Sequence, residues 1–256
     1  MFFLNAYKLL QKKRRPTFIP LFYISCFSFV FGQTKSNDQY HEWFDGLVGI
    51  ENTALYNGIG YIEKYKVIND YHKFYKTTDF LPGSIVYDKN YYSGLEMKYD
   101  LDEDLIVLNL KHGLRIVLLQ PIKKKVMRFT IDNHSFININ DSLASAFNIL
   151  GFHEVLLENS SFQLLEKHQK KRFQRKGKNT VYHEFKSRNF NILHYNNEYF
   201  TVKNRKDFTK IFPEFKKQIE TYSKKKSFPK STYRQHLVSL ARRIHELLLE
   251  QKINSK

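Results

Sequence analysis

Four acids in five residues, Asp100, Asp102, Glu103 and Asp104, form the densest carboxylate cluster of the 256-residue chain. Oxygen donors in such a run can hold calcium or serve general acid/base chemistry. The run lacks the glycine and the closing glutamate of an EF-hand, and no distant carboxylate can be named as its partner, so the spacing favours a solvated turn. The ten histidines are scattered, and none forms His-Glu-x-x-His: His153-Glu154 continues to Leu157, and His245-Glu246 to Leu249. The sequence therefore names no metal ligand set, no cofactor and no catalytic residue. It also lacks a Gly-x-Ser-x-Gly elbow, a phosphate loop and a dinucleotide fingerprint. Triads assemble from distant residues, so an enzyme stays open, but a non-catalytic protein is the expectation.

The strongest binding signal is basic. Lys167, Lys170, Lys171, Arg172, Arg175, Lys176 and Lys178 place seven cations in twelve residues, with Phe173 among them. Clustered cations attract phosphate-bearing lipid or acidic glycan; the plain alternative is a solvated loop or hairpin tip. The chain as a whole carries 42 Lys and Arg against 25 Asp and Glu, a net charge of +17. Such a balance favours polyanionic partners and says nothing about fold. Tyrosines recur between Tyr56 and Tyr99, where rings could stack on sugars or bases, although tyrosine also favours strands for packing alone.

The elements that must position these residues are mostly strands. Residues 1–32 read as a signal peptide: a basic stretch ending in Arg15, about 15 apolar residues and then Gly32. The apolar stretch is short of a membrane span and contains Pro20. Cys26, the one cysteine, lies inside it, so the exported chain would have neither disulfides nor thiolate chemistry. Residues 33–52 are a linker. Over 53–140, apolar residues alternate with polar ones, as at Leu95, Met97 and Tyr99, and at Met127, Phe129 and Ile131. The runs 105–110 and 114–119 are nearly continuous in aliphatic residues and predict central strands covered on both faces. Short polar breaks such as Asp88-Lys-Asn90 and Asp132-Asn-His134 imply antiparallel neighbours and a meander. Residues 141–204 predict β-hairpins flanking the basic segment, closed by Asn159-Ser-Ser161 and Asn196-Asn197. The tail, 205–256, turns helical, with Pro213 opening a second helix and Ser231 or Thr232 capping a third, whose stripe Tyr233, Leu237, Leu240, Ile244, Leu247 and Leu248 docks on the body. The expected fold is α+β, mainly β: an antiparallel meander forming a sandwich, roll or half-barrel, followed by a smaller strand-plus-helix part.

Several ordered motifs carry a resemblance. Ala54-Leu-Tyr-Asn-Gly58, Leu81-Pro-Gly-Ser-Ile-Val-Tyr-Asp88, Tyr91-Tyr-Ser-Gly-Leu95 and Gly151-Phe-His-Glu-Val-Leu156 resemble an exported β-rich family of Bacteroidota with no established activity. So does Tyr199-Phe-Thr-Val-Lys-Asn-Arg-Lys-Asp-Phe208. The resemblance implies export and a β-rich body with a helical tail, and assigns no site. Asn159-Ser-Ser161 departs from it, standing where a glycine-bearing turn is usual. Together these readings predict a periplasmic, outer-envelope or secreted protein that binds or scaffolds an anionic lipid, glycan or envelope protein. Export argues against nucleic acid. A hydrolase acting on an envelope polymer through carboxylates of the tyrosine-rich half is the alternative.

Overall fold

A computed structural model describes residues 53–68, 70–112, 115–225 and 233–254. The expected signal peptide and linker, and the capping candidates Ser231 and Thr232, lie outside these residues.

Thirteen strands and four α-helices make up the described chain. The strands are β1 (Ile59–Gly60), β2 (Leu81–Tyr87), β3 (Asn90–Asp100), β4 (Leu105–His112), β5 (Arg115–Gln120), β6 (Val126–Ile131) and β7 (His134–Ile139). After the short helix α1 (Ser142–Ala146) come β8 (Gly151–Glu158), β9 (Phe162–Lys167), β10 (Lys170–Lys176), β11 (Val181–Ser187), β12 (Phe190–Tyr195) and β13 (Glu198–Val202). Helices α2 (Arg205–Ile211), α3 (Lys216–Lys225) and α4 (Tyr233–Asn254) close the chain. Eleven strands form one antiparallel sheet in the order β1-β5-β4-β3-β2-β6-β7-β8-β9-β12-β13, and β10-β11 form a separate pair. The fold is thus mainly β with a helical tail, and the sheet does not close into a barrel. It runs without a break across residue 140, because β7 pairs with β8.

Turn chemistry sets much of this. Asp88 and Lys89, Asp132 and Asn133, and Asn196 and Asn197 all take positive φ, so each pair forms the two-residue turn whose twist suits a hairpin. One interruption of the meander follows β5. Residues 121–125 carry the chain from β5 to β6, four places away in the sheet, a distance of about 19 Å were the sheet flat. It is instead strongly coiled. Tyr99 of β3 lies with its ring centroid 5.9 Å from Phe152 of β8, and the rings of Phe129 and Phe136 stack at 4.7 Å between them. The inner face so formed holds one core cluster, including Ile85, Tyr87, Tyr92, Met97, Tyr99, Leu108, Phe129 and Phe136. The tyrosine-rich half is therefore largely packing. A second cluster joins β9, β12 and β13 to the helices through Leu164, Leu193, Phe208, Phe212, Leu237, Leu240 and Ile244. Asn204 and Asp207 cap α2 reciprocally, and Pro213 opens a 3-10 turn that leads into α3.

Two strand expectations are corrected. Residues 114–119 do not form a central strand: β5 has β4 on one side and only the two residues of β1 on the other, and Ile116 is 66% exposed. Met127 does not face inward. An irregularity in the β2–β6 pairing sets Tyr87 opposite Val126, which turns Val126 into the core and leaves Met127 exposed.

Candidate functional site

The basic segment is a strand rather than a loop. Strand β10 pairs with β11 over seven register positions, and Gly177 and Thr180 close the tip. A two-stranded ribbon is marginal alone. This one leans on an extended stretch before β2: His183 and Phe185 donate backbone hydrogen bonds to Lys66 and Tyr71, and Phe185 is buried.

The eight candidate residues divide into four groups. Lys167 is not a surface cation at all: its side chain is 8% exposed, and its ammonium lies 2.9 Å from Asp104. Lys170 and Arg172 hold the ribbon to the body. The Lys170 ammonium donates to the carbonyls of His72 at 2.6 Å and Phe74 at 3.1 Å, and the Arg172 guanidinium sits 4.0 Å from the Tyr65 ring centre and 3.6 Å from Asp102. Lys171, Phe173 and Arg175 share the opposite face by alternation along the strand. There Phe173 is ringed by Lys171 at 5.8 Å, Arg175 at 5.8 Å and Lys186 of β11 at 5.6 Å. Lys171 stands directly opposite Lys186, an arrangement of like charges that weakens a ladder. Glu184 is paired with Arg175 at 2.9 Å and is the one acid between residues 169 and 188, against eight cations. Lys176 and Lys178 are exposed at the tip. Beside the base of β10 lies a recess of about 360 Å³ lined by Asp102, Gln169, Lys170, Lys171, Arg172 and Arg188.

The carboxylates of 100–104 are not a solvated turn. Asp100 is fully buried, 2.8 Å from the ammonium of Lys73, which also lies 3.0 Å from Glu63. Asp104 sits at the seam where the coiled sheet brings β3 and β8 together. It accepts from Tyr99 Oη at 2.5 Å and from the Phe152 amide at 3.3 Å, and pairs with Lys123 at 2.5 Å and Lys167 at 2.9 Å. Burial pushes its carboxyl upward, but the charges of Lys167 and Lys123 outweigh that and hold it below the ordinary value. With lysines on both Asp100 and Asp104, the tyrosine-rich half offers neither calcium nor a hydrolase this pair of carboxylates.

A second polar cluster was not visible in the sequence. Glu154 of β8 and Glu166 of β9 stand opposite each other on the inner face. Glu154 accepts from His134 Nδ1 and from His168 Nε2, each at 2.6 Å, and from Arg234 in the first turn of α4. The same guanidinium lies 3.2 Å from Glu166. Burial would raise the Glu154 carboxyl, but the bonds from His168, Arg234 and His134 bring it down to about 2. Asn189 Nδ2 donates to Glu166 at 3.1 Å and reaches His168 Nδ1 at 3.0 Å. The Tyr75 ring presents an edge contact to both imidazoles. The turn at Asn159-Ser-Ser161 alone would set Glu166 opposite Val155; an irregularity between Val155 and Leu157 brings Glu154 opposite it instead, and nothing in the sequence marks that shift.

Against known proteins, no family model, curated protein or solved structure matches the chain. The resemblance to the Bacteroidota family therefore stands on the quoted motifs alone.

Proposed function

We propose that the protein is an exported, non-catalytic binding protein of the periplasm or outer envelope, of the Bacteroidota type its motifs resemble, and that its β10–β11 ribbon takes an anionic membrane surface as partner. One observation carries this reading: Lys171, Arg175 and Lys186 surround Phe173 on the outer face of the ribbon. Stability does not call for it, because Lys171 opposes Lys186. Cations bring the face to a negative surface, and an aromatic ring at their centre can enter the headgroup layer. Among the described residues no helix is long and apolar enough to cross a membrane, so peripheral contact is the mode proposed.

Basic residues near an anionic surface contribute about 1 kcal/mol each; with Arg175 offset by Glu184, Lys171 and Lys186 give roughly a thirtyfold preference for anionic over neutral vesicles at low salt. Co-sedimentation with phosphatidylglycerol-containing and with phosphatidylcholine vesicles measures it. The variant Lys171→Gln, Arg175→Gln, Lys186→Gln should lose most of the preference with an unchanged melting temperature. Equal binding by the variant would assign the attraction to overall charge and remove the site. Binding to acidic polysaccharide but not to vesicles would replace the membrane by a glycan.

A further inference from the structure

The inner face of β7–β9 gathers ligands of the types that hold transition metals. We infer that Glu154, Glu166 and His168 form a divalent-metal site of zinc class, and that Arg234 and the metal ion occupy it in turn.

Geometry comes first. One donor atom each from Glu154, Glu166 and His168 lies within 4.8 Å of the other two. A tetrahedral ion with bonds of about 2.1 Å spaces its ligands about 3.4 Å apart, so closing on a metal needs rotamer adjustment rather than movement of strands. His134 Nδ1 lies 2.6 Å from Glu154 Oε1, whereas His168 Nε2 lies on Oε2, so His134 stands outside the three donors and steadies the Glu154 carboxylate. Glu154 and Glu166 stand opposite each other on paired strands and His168 directly follows β9, so the backbone that carries the three donors is rigid.

Charge comes second. Asn189 Nδ2 donates to Glu166, so its contact with His168 Nδ1 makes that ring nitrogen an acceptor and leaves the proton on Nε2. Two carboxylates, one of them almost fully buried, here face a single guanidinium. A divalent ion matches the charge of the two carboxylates, which one guanidinium does not. Mixed imidazole and carboxylate donors suit zinc among the common divalent ions.

Release comes third. The Arg234 side chain is 42% exposed and that of His134 is 30%, whereas Glu154 is 3%. The guanidinium forms the outer wall of the cluster and can swing into water from the first turn of α4 without disturbing the helix stripe at Leu237 and Leu240. Asn189 turned end for end then accepts from His168 Nδ1–H, the outer-shell bond that orients a metal-bound imidazole.

The test uses the full chain stripped with chelator and titrated with Zn²⁺ by calorimetry. One ion per chain should bind. Arg234→Gln should tighten binding at least tenfold, whereas His168→Ala and Glu154→Gln should weaken it at least tenfold. Asn189→Ala should weaken it by about 10- to 100-fold, as loss of outer-shell partners does. Because Glu154 is buried and its variant could unfold, Co²⁺ titration of the unaltered protein gives an independent readout: visible bands of tetrahedral intensity, bleached by Zn²⁺. Failure of the unaltered protein to bind at millimolar Zn²⁺ overturns the inference. So does binding that survives His168→Ala, or an Arg234→Gln protein that binds no more tightly.

Discussion

Replacing Asp104 by asparagine keeps the shape of the side chain and removes only its charge, which makes it the sharpest probe of the coiled sheet. The carboxylate is the one anion facing Lys167, whose side chain is 8% exposed, and it shares Lys123, whose side chain is 39% exposed. Breaking a buried pair by removing one partner costs about 3–5 kcal/mol, and the partial exposure of Lys123 puts this site at the lower end, about 3 kcal/mol. For a body of this size that is a fall of roughly 6–12 °C in melting temperature. Urea unfolding at pH 7 measures the loss directly. The reverse substitution is not symmetrical. Burial holds the Lys167 ammonium below its ordinary pKa, its attraction to Asp104 notwithstanding, so Lys167→Met relieves a desolvated charge and leaves Asp104 with Lys123, Tyr99 and the Phe152 amide. That variant should change stability by less than about 1.5 kcal/mol in either direction.

The pH dependence follows with a definite sign. The Asp104 carboxyl is depressed in the folded state, so its contribution is complete above the unfolded carboxylate pKa of about 3.9 and is lost as pH falls through the folded value. Asp104→Asn should therefore flatten the acid limb of the stability curve while lowering its plateau. A variant within about 1 kcal/mol of the unaltered protein, or one with an unchanged acid limb, would refute the claim that this carboxylate ties the seam together.

Ile116→Ala should cost less than about 0.5 kcal/mol, whereas Leu108→Ala, fully buried in β4, should cost about 2–5 kcal/mol; urea midpoints decide between them. Burial, reinforced by the charge of Lys167, brings His153 down to about 4, so the unfolded chain binds its proton first and stability should fall by roughly 3 kcal/mol from pH 7 to pH 4. His153→Gln should flatten that slope. Intact mass of the protein recovered from its native host should lack residues 1–32 and with them Cys26, leaving a product inert to thiol reagents; a full-length reactive chain would remove export from the proposal.

The hairpins β8–β9 and β12–β13 were legible because their turns are short, polar and flanked by clean apolar runs, and the helical stripe of α4 because its period differs from everything before it. The aliphatic content of 114–119 misled for a physical reason. Continuous apolar runs signal strands with two covered faces, but β5 is almost the outermost strand, and a sequence does not reveal which strand of a meander ends up at the edge. Met127 failed for a different one. A single irregular pairing leaves Phe129 and Ile131 inward but shifts the inward position beyond it from Met127 to Val126, and no side-chain pattern marks where that happens.

The polar clusters were illegible because composition counts charges without locating their partners. Lys167 looked like the first of seven surface cations, yet at the end of β9, on the face opposite Glu166, it is buried where the coil of the sheet brings Asp104 from a loop 63 positions earlier in the chain. The acids of 100–104 looked solvated for the same reason, since Lys73, Lys123 and Lys167 approach them from three separate segments. Removing these internal pairs from the count changes the functional argument as well. Part of the excess positive charge neutralises buried acids, and what is left to meet an anionic partner is concentrated where β10 and β11 face outward. The basic ribbon is therefore a better candidate than the seven-cation run that pointed to it: it loses Lys167 and Lys170 to the interior and gains Lys186, which only strand pairing could bring beside Phe173.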